Sequence, residues 1–291
     1  PMEAGQRHPS TSGGPMSQQA SLLTVAGTDP SSGAGVGADL AVIRDWGYHG
    51  TSVVTAVIAQ NTQGIRAFWP MAAQRVVAQL EHIRADIEPA GIKIGVLGSD
   101  ATVEALAEHL DRCPTRGPLV LDPVLASGQD GSSLGGARVA RAIVQTLLHR
   151  LTLITPNAPE AHLLTGVAVD DRTGQHNAGT KLVNMGATAA LIKGGHLQDS
   201  PGDLLAYRNP EGHIETQWFP VEHVYPYAVR GTGCHLSTAI CAALAQDRTL
   251  VAAVKQARVY LDRLWKHHAQ TVGKGARVFV HGVGTAENPC A

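Results

Sequence analysis

The segment SLLTVAGTDPSSGAGVGADLAVIRDW, residues 21–46, decides the fold class because it joins three pieces of different character. Residues 21–26 are mostly apolar, which is typical of a strand covered on both faces. A glycine-rich loop follows, and beyond it the apolar side chains Leu40, Ile43 and Trp46 recur at helical spacing. We therefore predict a strand–loop–helix unit here.

The same alternation continues along the chain. Apolar, β-branched runs predict strands at residues 51–60, 92–96, 119–125, 153–155 and 189–192, and helical periodicity predicts helices at 73–87, 101–110, 137–148 and 174–185. Residues 204–208 and 214–219 are close enough to form an antiparallel hairpin, and helices at 233–244 and 250–270 follow it. Strand–helix units with short connections favour a mostly parallel sheet with helices on both faces, an α/β fold.

The amino-acid composition distinguishes an N-terminal tail from the rest of the chain. Residues 1–19 are rich in Ser, Gly, Pro and Gln, so we predict a disordered N-terminal tail there. The whole chain is 44% hydrophobic and only 16% charged, which is typical of a folded protein. We assign residues 20–291 to a single domain.

Charge and cysteine content exclude several classes of function. The 23 Lys and Arg residues balance 24 Asp and Glu residues, so the chain lacks the basic excess of a nucleic-acid-binding protein. The apolar runs are far shorter than the roughly 20 residues that a membrane helix needs. Four cysteines without a CxxC pair suggest neither a zinc site nor a disulfide framework. We expect a cytoplasmic protein with no nucleic-acid or membrane partner.

Ligands of parallel sheets bind beyond the carboxyl ends of the strands, where the first unusual loop lies. This loop, GTDPSSGAGVGAD at residues 27–39, has glycines that permit close backbone approach and the carboxylates Asp29 and Asp39. It matches neither the dinucleotide fingerprint nor the Walker A spacing. A ligand site and a turn required only by packing therefore both remain open.

The second loop, RGTGCHLSTAICAAL at residues 230–244, runs into an amphipathic helix. Gly231, Thr232 and Gly233 would present backbone N–H groups at the positive end of the helix dipole, as a phosphate or oxyanion cradle. Cys234 would lie in the first turn, where the dipole favours the thiolate and lowers the thiol pKa. The alternative is a buried cysteine with only a packing role.

Two further loops carry polar side chains. In ITPNAPEA, residues 154–161, Asn157 and Glu160 could hold Mg²⁺ through water, or they could form a helix capping box. In LIKGGH, residues 191–196, Lys193 could reach a phosphate group or extend along the surface into solvent. A glycine-rich anion cradle, a lysine and an Asn/Glu pair are the components that phosphoryl transfer requires.

Seven motifs, in this order, resemble the hydroxymethylpyrimidine/phosphomethylpyrimidine kinases of thiamin biosynthesis, which belong to the ribokinase-like superfamily. They are AGTDPSSGAGVGADL, TSVVTAVIAQNTQG, IKIGVLGS, VLDPVLASG, LITPNAPEAHLL, LIKGGH and GTGCHLSTA, and the similarity spans residues 22–280. The resemblance implies a three-layer α/β/α sandwich, ATP and Mg²⁺ as co-substrate and metal ion, and a homodimer. It also implies phosphorylation of 4-amino-5-hydroxymethyl-2-methylpyrimidine and then of its monophosphate.

The resemblance assigns roles to matching residues. The pyrimidine pocket would include Gly27, Asp39, Gln60 and Val96, with the Gln60 side chain bonded to the aminopyrimidine edge. Cys234 takes the place of the aspartate base of sugar-kinase relatives, at the end of the anion hole that Gly231, Thr232 and Gly233 form. The nucleotide side would include Lys193, Asn157, Glu160 and Arg230, with Asn157 and Glu160 organising Mg²⁺ and its waters.

The chain departs from the family pattern at three places, one of which is Gly37, where a glutamine is often found. It has RGTGCH where HGTGCT or HGSGCT is common, which introduces Arg230 and His235, and ASGQDG at residues 126–131 lacks a common lysine. Arg230 would add a cation near the phosphates. The alternatives to the pyrimidine kinase are a pyridoxal/pyridoxine kinase on the same scaffold and a non-catalytic pyrimidine-binding relative.

Overall fold

A nine-stranded sheet forms the centre of the computed structural model, which describes residues 19–126, 133–195, 197 and 201–282. Its strands are β1 (Ser21–Gly27), β2 (His49–Asn61), β3 (Gly64–Pro70), β4 (Ile92–Ile94), β5 (Leu119–Leu121), β6 (Leu153–Ile154), β7 (Ala189–Ile192), β8 (Gly202–Arg208) and β9 (Ile214–Pro220). Their order is β3-β2-β1-β4-β5-β6-β7-β8-β9. Neighbours from β2 to β7 are parallel, whereas β3, β8 and β9 join antiparallel.

Eight α-helices of the described residues cover both faces of the sheet, and they confirm the predicted three layers. They are α1 (Gly35–Asp45), α2 (Ala73–Arg84), α3 (Asp100–Arg112), α4 (Gly136–Ala142), α5 (Ala158–Thr165), α6 (Arg172–Asn184), α7 (Thr232–Leu244) and α8 (Leu250–His268). Helices α1, α7 and α8 pack on one face, and α2 to α6 pack on the other. A short antiparallel pair, β10 (Ala269–Gln270) and β11 (Val278–Phe279), lies outside the main sheet.

Strand β1 contributes to the cores on both sides of the sheet. Leu22 packs with the apolar side chains of α1, α7 and α8. Leu23 and Val25 pack into the larger cluster on the opposite face. Successive side chains of a strand point to opposite faces, so an apolar run of this kind must be covered on both sides. This arrangement confirms the prediction made from residues 21–26.

Two elements end earlier than predicted for identifiable reasons, and one strand was missed. The helix predicted at 137–148 ends as α4 and continues as a π-helix, Ile143–Leu147, and a 3₁₀ turn, Leu148–Arg150. The Thr146 hydroxyl donates to the carbonyl of Ala142 at 2.8 Å, a back-bond that competes with the regular helical ladder. Strand β5 stops at Leu121, before Pro123, which has no N–H to donate. The antiparallel edge strand β3 was not predicted.

The hairpin after β7 is as predicted, whereas part of the predicted tail and of two loops lies outside the described residues. The predicted hairpin is confirmed, since β8 and β9 pair in antiparallel register from Gly202 with Pro220 to Arg208 with Ile214. Residues 1–18 of the predicted tail, residues 127–131 of ASGQDG, and His196 lie outside the described residues. The single-domain assignment of residues 20–291 stays a prediction. None of the helices in the described part of the chain combines the length and the apolar character needed to cross a bilayer.

The strand order places the candidate loops together. The direction in which successive strands are added reverses at β1, which pairs with β2 on one side and β4 on the other. Loops leaving the carboxyl ends of parallel strands at such a reversal border a shared crevice. The loop after β1 and the residues that follow β5, β6 and β7 all leave from this edge.

Candidate active site

The backbone at the start of α7 forms the predicted cradle. Gly231 caps the helix in the left-handed region, with φ of 70° and ψ of 15°, and α7 begins at Thr232. The N–H of His235 makes a helical bond to the carbonyl of Gly231 at 2.9 Å. The N–H groups of residues 231–234 precede this bond and lie at the positive end of the dipole. They are therefore available to bind anionic oxygens.

The loop after β1 packs directly against this cradle. A Cβ at Gly231 would overlap the carbonyl oxygen of Gly33, and a Cβ at Gly35 would overlap the carbonyl oxygen of Gly27. Gly35 also has a positive φ, 58°. Glycines are needed at these positions because the two backbones approach closely. Both sequence alternatives, a ligand site and a turn required by packing, therefore require glycine here.

Lys193 and Asp122 lie beside the cradle. Lys193 follows β7 and Asp122 follows β5, and the Lys193 Nζ atom is 2.7 Å from Asp122 Oδ1. A Cβ at Gly233 would lie 3.1 Å from the Lys193 Nζ and 3.2 Å from Asp122 Oδ2. The structure thus brings the predicted lysine to the predicted loop. Sequence reasoning missed Asp122, although its place directly after a buried strand was a usable signal.

The charged side chains around Lys193 shift one another's pKa. Burial opposes the charge on Lys193, but the carboxylates of Asp122 and Glu160 outweigh it and raise the lysine pKa. Burial raises the pKa of Glu160 to about 7; Lys193 works against this rise and Asp122 adds to it. The lysine therefore stays charged at neutral pH, while Glu160 exchanges its proton near pH 7.

Asn157 and Glu160 form the capping box that was one of the two sequence alternatives. The Asn157 side chain accepts from the N–H of Glu160 at 2.9 Å, and the Glu160 carboxylate accepts from the N–H of Asn157 at 2.8 Å. These bonds hold the start of α5 beside Lys193, whose backbone bridges to Asn157. A capping role does not test the predicted nucleotide and metal roles, which stay predictions.

The thiol of Cys234 differs from the sequence prediction. Burial raises its pKa to about 11, although the nearby charge of Lys93 and a bond from the N–H of Gly35 act in the opposite direction. The prediction of a thiolate favoured by the helix dipole is therefore wrong for this structure. Removal of solvent from around the sulfur destabilises the thiolate more than the helix dipole stabilises it. Cys241, farther along α7, is buried in the core.

Asp39 lies beneath the predicted pocket rather than on its surface. It is completely buried and pairs with Lys93, whose Nζ atom is 2.8 Å from Asp39 Oδ2. The hydroxyls of Thr24 and Thr238 also donate to this carboxylate, at 2.6 and 2.8 Å. The expectation that Asp39 lines the pocket is thus corrected to a buried ion pair that joins α1, β1, β4 and α7. A lysine within the apolar run IKIGV was the signal for this pair.

The remaining pocket residues meet at the carboxyl ends of β1, β2 and β4. A Cβ at Gly27 would lie 2.7 Å from the Val96 Cγ1, so these two predicted residues are adjacent. Gln60, near the end of β2, donates to the carbonyl of Thr28 at 3.3 Å. Arg230 lies on this side too, because its guanidinium donates to Gln60 Oε1 at 2.7 Å. The sequence prediction grouped Arg230 with the nucleotide-binding residues, whereas the geometry favours a place beside the pyrimidine pocket.

Comparison with known proteins gives the family of this chain. The family model described as phosphomethylpyrimidine kinase matches residues 29–279. The chain belongs to this family. A hydroxymethylpyrimidine/phosphomethylpyrimidine kinase of Haemophilus influenzae is 36% identical over 265 residues, 89% of this chain and 96% of the relative. Its counterpart in Streptomyces coelicolor is 38% identical over 240 residues, 82% of this chain and 86% of the relative.

Solved structures of a phosphomethylpyrimidine kinase and of a pyridoxal kinase have the same fold as this chain. A phosphomethylpyrimidine kinase of Clostridium difficile has a TM-score of 0.72 at 31% identity, covering 84% of this chain and 99% of that one. A pyridoxal kinase of Staphylococcus aureus in complex with ADP has a TM-score of 0.79 at 25% identity, covering 92% of this chain and 96% of that one. The family model and the higher identities favour the pyrimidine kinase over the pyridoxal kinase alternative.

The donor set of the site fits a hydrated Mg²⁺ ion. The described residues contain no group of three or more His, Cys, Asp or Glu side chains arranged to hold a metal. They do place the carboxylates of Asp122 and Glu160 around Lys193, close enough for each to shift its pKa. Magnesium in phosphoryl-transfer sites keeps several waters and binds one or two carboxylates together with the phosphates. Two carboxylates at a phosphate cradle match that requirement.

Proposed function

We propose that this protein is an ATP-dependent kinase that phosphorylates 4-amino-5-hydroxymethyl-2-methylpyrimidine and then converts the monophosphate to the pyrophosphate. The observation that carries the proposal is the juxtaposition of the α7 backbone cradle with the Lys193–Asp122 pair. A cation and aligned N–H groups provide the charge neutralisation on which phosphoryl transfer depends. Membership in the phosphomethylpyrimidine kinase family supports the choice of substrate.

In the first transfer the substrate hydroxyl oxygen bonds to the γ-phosphorus, the bond from that phosphorus to the β,γ-bridging oxygen breaks, and the hydroxyl proton passes to solvent. In the second transfer a phosphate oxygen of the monophosphate is the attacking atom. ADP leaves, and the phosphorylated pyrimidine remains. The N–H groups of residues 231–234 and the Lys193 ammonium stabilise the charge on the equatorial oxygens. Asp122 and Glu160, the latter fixed by its bond to Asn157, would hold hydrated Mg²⁺. When bound, the ion would neutralise phosphate charge.

We assign Cys234, at the end of the cradle, the role of orienting the substrate hydroxyl. Because the pKa of its thiol is raised to about 11, the residue enters the reaction protonated at neutral pH. A phosphoryl transfer with a loose transition state needs little removal of the hydroxyl proton before the new bond forms. Positioning of the hydroxyl, rather than its deprotonation by a thiolate, is therefore the role that we assign to Cys234.

The test is ATP turnover measured in parallel with hydroxymethylpyrimidine, its monophosphate and pyridoxal, in the presence of Mg²⁺. Turnover of the first two compounds supports the proposal. Turnover of pyridoxal alone would instead support a pyridoxal kinase. Binding of the pyrimidine without consumption of ATP would support a non-catalytic relative and contradict the proposal.

We also propose a homodimer in the cytoplasm, as the family resemblance implies. The cross-strand pair of Val57 and Trp69 on β2 and β3 supports an interface, because both side chains are about half exposed on an edge of the sheet. Light scattering of the purified protein should give twice the mass of the chain. The mass of a single chain would contradict the dimer and leave the proposed reaction untouched.

A further inference from the structure

Arg230 connects three elements on the substrate side of the cleft. Its guanidinium donates to Gln60 Oε1 at 2.7 Å and lies 3.3 Å from Asp29 Oδ2. Gln60 belongs to β2, Asp29 to the loop after β1, and Arg230 directly precedes the α7 cradle. The arginine is only 9% exposed, so these bonds form largely away from solvent.

Asp29 and the backbone of Arg230 are themselves held in place. Asp29 Oδ1 accepts from the N–H and the hydroxyl of Ser31, at 2.9 and 2.7 Å. The backbone N–H of Arg230 donates to the carbonyl of Arg277 at 2.9 Å. Moving the guanidinium toward the phosphates would leave the buried Asp29 carboxylate without this cation, which is costly. The arginine is thus a fixed part of the pocket wall.

Arg230 also determines which way the carboxamide of Gln60 faces. A guanidinium can only donate, so the amide must turn its oxygen toward Arg230. The Nε2 atom then donates to the carbonyl of Thr28 at 3.3 Å. The reversed amide would set donor against donor at Arg230 and acceptor against acceptor at Thr28. One orientation of Gln60 is therefore strongly preferred.

This orientation matches one kind of ring edge. After the two bonds are made, Gln60 retains one N–H and one oxygen lone pair. A 4-aminopyrimidine presents an acceptor nitrogen beside a donor amino group, and glutamine reads the same donor–acceptor pattern on adenine with two bonds. Pyridoxal has no amino group beside its ring nitrogen, so it cannot use both groups.

We propose that Arg230 is a positioning residue that confers specificity for the aminopyrimidine by holding the Gln60 carboxamide in its binding orientation. This role rests on the proposed function, since it concerns how that substrate is recognised. It replaces the sequence expectation of a cation that contacts the phosphates. It also explains how an arginine can serve at the position where histidine is common in the family.

The first test compares the wild type with Arg230→Met and Arg230→Lys in steady-state kinetics. We expect Arg230→Met to raise the KM for hydroxymethylpyrimidine about tenfold, with the KM for ATP changed less than about twofold, since one oriented hydrogen bond is at stake. The ratio of kcat/KM for the pyrimidine to that for pyridoxal should fall. Arg230→Lys should recover part of the loss, because an ammonium can still donate to Gln60 Oε1. A higher KM for ATP with an unchanged KM for the pyrimidine would overturn the proposal.

A double-mutant cycle tests whether Arg230 acts through Gln60. In a Gln60→Ala background, Arg230→Met should have little further effect on the pyrimidine KM, whereas fully additive effects would contradict the proposal. If Arg230→Met does not fold, Arg230→Met/Asp29→Asn removes the unpaired carboxylate and should show the same kinetic pattern. A wild type inactive on both pyrimidines would defeat the proposed function itself. An active wild type whose pyrimidine KM is insensitive to Arg230→Met would defeat only this inference.

Discussion

At the scale of single residues, Glu160 links the chemistry of the site to pH. It is 5% exposed, and burial raises its pKa to about 7. An acid whose pKa is higher in the folded state keeps its proton there while the unfolded chain releases it. Its contribution therefore makes folding less favourable as the pH rises from about 4.5 to about 7, and adds no further change above that.

Glu160→Gln should remove this pH dependence and preserve the capping box, because a glutamine oxygen can accept from the N–H of Asn157. Between pH 4.5 and 7, the free energy of unfolding of the wild type should fall relative to the variant by up to about 3 kcal/mol. Chemical denaturation at several pH values measures this difference. Glu104→Gln, at an exposed position of α3, is the control that should behave as the wild type. Parallel curves for wild type and Glu160→Gln would show that the burial of this carboxylate has no such effect.

Cys234→Ala should reduce kcat roughly hundredfold while nucleotide binding persists, because the role proposed for this residue is to orient the hydroxyl rather than the ATP. Turnover and the dissociation constant for ATP are the two measurements. Cys241→Ala is a matched control, since it removes a second thiol of the same helix that lies in the core. We expect it to lower stability but not kcat. Undiminished turnover of Cys234→Ala would remove this cysteine from the mechanism.

At the scale of elements, the start of α7 and the loop after β1 depend on each other. Gly231 combines a left-handed backbone with a contact so close that a Cβ would overlap the Gly33 carbonyl. Gly47, after α1, has φ of 80° but no neighbouring atom within 4 Å of an added Cβ. The two glycines therefore share the backbone conformation and differ in the packing around it.

Gly47→Ala should cost about 1 kcal/mol of unfolding free energy, from backbone strain alone. Gly231→Ala should cost more, because the loop after β1 must also move, and it should lower the affinity for ATP by displacing the cradle. Denaturation and nucleotide-binding measurements on both variants separate strain from contact. Equal losses of stability, with normal ATP binding in Gly231→Ala, would contradict this dependence.

At the scale of the whole molecule, a partly buried chain of hydrogen bonds joins helices that are distant in sequence. His235 Nδ1 bonds to the carbonyl of Gly231 at 2.7 Å, and its Nε2 lies 3.1 Å from His281 Nε2. His281 in turn lies 2.8 Å from Asp45, which also accepts from the hydroxyl of Tyr260. The cradle of α7 is thus connected with α1, α8 and the residues after β11.

Burial lowers the pKa of His235 to about 3, so the folded protein holds it neutral. Below about pH 6.5 the unfolded chain binds a proton there that the folded state does not, and stability is lost as the pH falls. Between pH 6.5 and 5 this contribution amounts to about 2 kcal/mol. His235→Thr should therefore show a shallower fall in unfolding free energy over this range, whatever its stability at pH 7. His82→Thr, at an exposed site on α2, should retain the wild-type slope; identical slopes for all three proteins would refute the assignment.

Local patterns in the sequence determined the order of most elements and the loops that carry the site. The apolar run at residues 21–26, the spacing of Leu40, Ile43 and Trp46, and the paired runs before α7 each encode an element within a few residues. The glycines of residues 27–39 and 231–233 were recognisable because close backbone approach excludes any other side chain. The parallel sheet then followed from the alternation of strand and helix. The edge strand β3 was not predicted because its sequence pattern is weak.

Tertiary structure alone decided the charges and partners within the site. Lys193 and Asp122 are 71 residues apart in the chain, and Arg230 and Gln60 are 170 apart, so no local pattern could reveal either contact. The pKa of the Cys234 thiol was mispredicted because the sequence shows the helix dipole but not the loss of solvent. Desolvation depends on every segment that covers a group, and those segments come together only when the chain has folded.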